Sequence, residues 1–150
     1  MRRAEWTALL ALALVTLNSS FASAQNASQV DVHWNVEIPL RDGRFLHATL
    51  YTPRDRSASL ACVFALTPYT ADAYHDRGMY FAAHGYSFAS IDVRGRGGSP
   101  GVFEPFTPDA HDGYDVVEWL APQPHCKGKV AMWGGSSIPC TASEISTAAV

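Results

Sequence analysis

Cysteine is scarce in this sequence. Only Cys62, Cys126 and Cys140 occur in 150 residues, and none stands in a C-x-x-C spacing. Three thiols cannot all pair within one chain, and their spacing gives no basis for a zinc site. Basic residues are also few: 11 Lys and Arg stand against 14 Asp and Glu, a formal net charge of -3. No Lys/Arg cluster follows Arg2 and Arg3, so the electrostatic footprint of a nucleic-acid-binding protein is missing. No apolar run approaches the ~20 residues that a membrane-spanning helix needs. Internal repeats and low-complexity tracts are absent, which excludes a repeat architecture. What is present is a 47% hydrophobic composition, that of one ordinary globular domain.

The first 24 residues differ from the rest. Arg2 and Arg3 precede the apolar stretch "LLALALVTL", and "ASA" at residues 22–24 puts small residues where signal peptidase cuts. Residues 1–24 therefore read as a secretory signal peptide. The expected mature chain begins at Gln25, is secreted or periplasmic, and holds no membrane span once the signal is removed. The Arg pair lacks the fuller twin-arginine context, which favours the general secretory route. An oxidising compartment permits a disulfide, but spacing does not choose which cysteines form it.

Residues 25–150 alternate between strand and helix patterns. "VDVHWNVEIPL" and "RFLHATLYTP" are β-rich runs, and Asp42-Gly43 between them is a hairpin signal because Gly accepts the positive φ of such turns. "SLACVFALTPY" has the continuous apolar character of a strand buried on both faces. Residues 71–84 have helical spacing at Tyr74, Met79, Tyr80, Phe81 and Ala83, with Gly85 as the terminal cap and Gly78 weakening the first half. "YSFASIDVRGRGGSPG" then predicts a strand entering a glycine-rich loop, and "DAHDGYDVVEWLA" a helix with Val116, Val117, Trp119 and Leu120 on its apolar side, ended by Pro122. "KVAMW" predicts a last short strand that turns out through "GGSS". A hairpin followed by strand, helix, strand, helix, strand is the order of an α/β fold with a largely parallel sheet. Right-handed crossovers place any site along one edge of that sheet.

Ser136 sits where this edge falls. A nucleophile elbow needs a strand, a sharp turn carrying the serine, and a helix beneath it, with glycines where side chains would collide. Val130 to Trp133 supply the strand and Gly134 the small residue two before the serine; a Gly/Ser turn is the plainer alternative. The glycine-rich loop holds Asp92, Arg94 and Arg96, but no phosphate-binding helix pattern follows it, so it gives little support to nucleotide binding. His111, Asp112 and Asp115 read as solvated residues in a helix's first turn rather than metal ligands. His75 and His84 lie on a surface helix and need no special role.

Four separated segments, "IPLRDG", "LTPY", "YFAAHGYSFASIDVRGRGGSPG" and "DGYDVVEWLAPQPHCKGKVAMWGGSS", resemble the CocE/NonD and X-Pro dipeptidyl-peptidase family of serine hydrolases. The resemblance covers nearly all of residues 35–137. It implies an α/β-hydrolase fold whose serine attacks an ester or amide carbonyl of a small molecule or short peptide, with no cofactor and no metal. By motif, Ser136 takes the nucleophile's place, Ser137 offers a backbone N–H to the oxyanion, and the Tyr69 hydroxyl is the second oxyanion donor. Outside the resemblance, Tyr69 reads as a turn residue after Pro68. Where the family has G-x-S-Y-x-G, this chain has Ser137 in the tyrosine's place and Pro139 in that of a small residue.

In α/β-hydrolases the triad acid and histidine follow the serine, whereas all six histidines here precede Ser136. The expectation is therefore the N-terminal portion of an α/β-hydrolase catalytic domain, truncated after the nucleophile elbow and inactive alone. The alternative is a non-catalytic remnant or binding protein that retains the front half of the fold.

Overall fold

The computed structural model describes residues 29–55, 61–105 and 109–134. Strand β1 (Val30–Pro39) runs through the turn at residues 40–44 into β2 (Phe45–Pro53). Within that turn Gly43 has φ +83° and the Asp42 carboxylate accepts the Arg44 N–H at 3.0 Å, the left-handed turn that Asp-Gly predicted. Strand β3 (Cys62–Thr67) leads through a short 3-10 turn (Ala71–Tyr74) into helix α1 (His75–Ala83), then β4 (Ser87–Asp92), helix α2 (Asp109–Leu120) and β5 (Val130–Met132).

The sheet order is β1-β2-β4-β3-β5. Strands β1, β2 and β4 pair antiparallel, while β3 is parallel to both β4 and β5. All six residues of β3 and all six of β4 are buried, which is why both read as unbroken apolar runs without alternation. The pleat still sorts them: Phe64 and Leu66 join Ile38, Leu46, Ile91, Val116 and Leu120 on the α2 side, and Val63 and Ala65 join Tyr51, Phe88 and Ala82 on the α1 side.

The segment read as one helix over residues 71–84 is divided, and the division falls at Tyr74–His75 rather than at Gly78. Gly78 is buried within α1, where a Cβ would overlap three ring carbons of Tyr51. This glycine is a close-approach residue, not a helix breaker. Gly85, at φ +88°, closes α1 as expected.

One charge assignment is corrected. Asp112 and Asp115 are buried, not solvated. Arg94 holds Asp112 by two hydrogen bonds, of 2.9 Å from Nε and 2.6 Å from Nη2, and reaches Asp42 at 2.6 Å through Nη1. Arg41 holds Asp115 through its backbone N–H at 3.0 Å and its Nε at 2.5 Å. Two buried carboxylates thus tie α2 to the hairpin turn and to the loop after β4, and burial is tolerated because each is paired. The hydrogen bond to Asp112 raises the Arg94 pKa, and Arg94 in turn lowers that of Asp42. His75 also has partners: its Nδ1 lies 3.1 Å from the Tyr51 hydroxyl, and Trp34 stacks on its ring.

Candidate active site

The carboxyl ends of β3, β4 and β5 point to the same edge of the sheet, because the three strands are parallel. From β3 the chain leaves as Pro68, Tyr69 and Thr70. Tyr69 is 65% exposed, and its backbone N–H donates to Thr67 Oγ1 at 3.1 Å. From neighbouring β5 the chain leaves through Trp133, whose N–H still donates to the Phe64 carbonyl at 2.8 Å. Trp133 is fixed by edge contacts with Tyr74 and Phe81 and by the Arg77 guanidinium 5.9 Å from its ring centroid. Gly134 is the last described residue on this path; Ser136 and Ser137 lie outside the described residues. The structure thus brings Tyr69 and the approach to Ser136 to one edge, on adjacent strands.

Behind Tyr69, the glycine-rich loop closes over one carboxylate. Asp92, at the end of β4 and only 6% exposed, accepts the Ala71 N–H at 2.7 Å and the Gly98 N–H at 2.9 Å. The Ser99 hydroxyl donates to the Asp92 carbonyl at 2.7 Å and accepts the His47 N–H at 2.9 Å. Gly97, at φ +51°, stands so close that a Cβ would overlap the Asp92 carboxylate. These contacts make the loop a frame around Asp92, with its glycines serving close packing. Between this loop, β1 and the Tyr69 segment lies a cavity of about 480 Å³, lined among others by Trp34, His47, Thr70, Asp72 and Asp92. Nothing in the local sequence announced Trp34 as its wall: a bulge in β1 with Asn35 at φ +54° leaves the indole 54% exposed.

Cys62 and Cys126 form a disulfide across 64 residues, joining the start of β3 to the segment before β5. Their sulfurs and His125 lie within 4.8 Å of one another, but disulfide sulfurs are not thiolate ligands. Among the described residues no helix is long and apolar enough to cross a membrane.

The mixed sheet, its antiparallel hairpin at one side and its helices on both faces are the front of an α/β-hydrolase fold, and solved α/β-hydrolases superpose on it. A CocE/NonD family hydrolase from Staphylococcus aureus matches with a TM-score of 0.67 at 20% identity, over 77% of this chain and 25% of its own. The chain belongs to the X-Pro dipeptidyl-peptidase (S15) family, whose sequence profile matches residues 42–148. Cocaine esterase of Rhodococcus sp. (strain MB1 Bresler) is 31% identical over 113 residues, 71% of this chain and 20% of that enzyme. An α-amino acid ester hydrolase of known structure is 29% identical with a TM-score of 0.58, over 71% of this chain and 21% of its own. The chain thus spans between a fifth and a quarter of the length of these relatives, all of them hydrolases.

Proposed function

We propose that the protein is an exported serine hydrolase that cleaves ester or amide bonds of small molecules or short peptides through an acyl-enzyme. The observation that carries this reading is the placement of Tyr69, exposed at the end of β3, beside the strand whose continuation holds Ser136. In the reaction, Ser136 Oγ bonds to the carbonyl carbon as its proton passes to a base. The carbonyl oxygen becomes an oxyanion that the Tyr69 hydroxyl and the Ser137 N–H stabilise. Collapse expels the alcohol or amine, which takes up the proton, and water then releases the acid from the serine ester. None of the six histidines is assigned the base. The cavity of about 480 Å³, lined by Thr70 and Ala71 just after Tyr69 in the chain and by Asp92 at the end of β4, offers room for a small substrate. The Cys62–Cys126 disulfide supports export, since such bonds persist in oxidising compartments, and processing after Ala24 would start the mature chain at Gln25.

The test is hydrolysis of p-nitrophenyl acetate by protein expressed from the complete reading frame. Ser136→Ala is expected to abolish turnover, and Tyr69→Phe to lower kcat about a hundredfold while KM changes little. Turnover that survives Ser136→Ala removes this serine from the mechanism.

A further inference from the structure

The ring of Tyr69 is exposed, so packing does little to fix its direction. A hydrogen-bond donor to an oxyanion must nevertheless be held within a fraction of an ångström of its working position. The direction has to come from the backbone, and the backbone here is constrained on both sides of Tyr69. Before it, its own N–H is bonded to Thr67 Oγ1 at 3.1 Å. After it, Thr70 stands at φ +84° and ψ +141°. A β-branched residue avoids that region strongly, and it persists there only where the surroundings impose it.

The imposing groups are Asp92 and Ser90, both on β4. Asp92 Oδ1 accepts the Ala71 N–H at 2.7 Å, and the Ser90 hydroxyl donates to the Ala71 carbonyl at 2.9 Å. Ala71 is thus gripped at both of its backbone groups, one residue beyond the strained threonine. The other Asp92 oxygen is anchored by the Gly98 N–H at 2.9 Å, so the carboxylate cannot rotate without losing a partner. Among the described residues no ion pair includes Asp92, so its role is to receive N–H groups from two loops.

We infer that Asp92 is a positioning residue: by clamping Ala71 it holds Thr70 in its strained conformation and so aims the Tyr69 hydroxyl at the oxyanion site. This rests on the reading of Tyr69 as the donor. A carboxylate suits the task because each oxygen accepts one N–H. An asparagine at the same place would turn its NH₂ toward one of the two donors. Glycine at position 70 would adopt this backbone without strain but would also open many other conformations, so the clamp would no longer fix the direction of Tyr69.

The experiment compares Asp92→Asn, Thr70→Gly and Tyr69→Phe, with the double variants Asp92→Asn/Tyr69→Phe and Thr70→Gly/Tyr69→Phe. Each is made in protein from the complete reading frame and assayed on p-nitrophenyl acetate, with urea unfolding in parallel. Asp92→Asn and Thr70→Gly are each expected to lower kcat about tenfold with KM nearly unchanged. In the Tyr69→Phe background, neither should slow the enzyme further. Thr70→Gly should lose rate without losing stability, a split that a purely structural role would not produce. Losses in the Tyr69→Phe background as large as in the parent would overturn the inference while leaving the donor standing. No loss from Tyr69→Phe alone would overturn the donor and the positioning role together. Should Asp92→Asn fail to fold, Thr70→Gly decides: an unchanged kcat refutes the inference.

Discussion

Replacing both Cys62 and Cys126 by alanine removes the covalent tie between the start of β3 and the segment before β5. The two residues are 64 apart in sequence. The entropy of closing a loop of that size in the unfolded chain amounts to about 4 kcal/mol at 25 °C. Both positions are buried, at 1% and 0% exposure, so the lost sulfur contacts add to the cost rather than offset it. Against a typical domain stability of roughly 5–15 kcal/mol, this is about a quarter or more of the total. Equilibrium urea unfolding under oxidising conditions measures it, in a Cys140→Ser background that prevents thiol exchange. With a slope of roughly 2 kcal/mol per molar, the midpoint of the double variant should fall by about 2 M. The slope itself should rise, because the unfolded chain is freed to expand. A midpoint within about 0.3 M of the oxidised parent would refute the reasoning.

Two further outcomes follow from the charge network and the core. Arg94→Ala strands the Asp112 carboxylate, which is 5% exposed at the side chain, and should cost about 3–5 kcal/mol in urea unfolding. Arg94→Lys should rescue little, since an ammonium cannot make the two-pronged contact, whereas Arg94→Met with Asp112→Leu should recover much of the loss. Burial pushes the Tyr51 phenol up from 10.0 to about 12, helped by Asp72 and Asp76. The folded state therefore favours the neutral phenol: this contribution is whole below about pH 10 and is lost as pH rises through about 12, for about 3 kcal/mol at most. Melting temperatures from pH 8 to 12 should decline more gently in Tyr51→Phe; an identical decline would show that Tyr51 does not govern it.

The strands, the hairpin and the two helices were legible because their signals are local. Asp42-Gly43 needs only its own φ to mark a turn, and β3 and β4 show their double burial as unbroken apolar runs. The family resemblance carried by four segments assigned oxyanion and nucleophile roles to Tyr69 and Ser136 before any coordinates, while the order β1-β2-β4-β3-β5, with β3 next to β5, came only with the fold. Other features stayed hidden because their partners are distant in the chain. Asp112 and Asp115 fall in the first two turns of α2, where solvent is the ordinary expectation for a carboxylate. Only folding brings Arg94 and Arg41 to them from 18 and 74 residues away. Gly78 reads as a weakness in a helix until Tyr51 is found against it. The choice of Cys126 for Cys62, the strain at Thr70 and the grip of Asp92 on Ala71 likewise depend on β3, β4 and β5 lying side by side. Sequence by itself determined which segments become strands and helices and which family they resemble, since periodicity and motif are properties of neighbouring residues. Tertiary structure alone decided which charges are buried, which thiols meet and what holds Tyr69, because those depend on distances set only when remote segments pack.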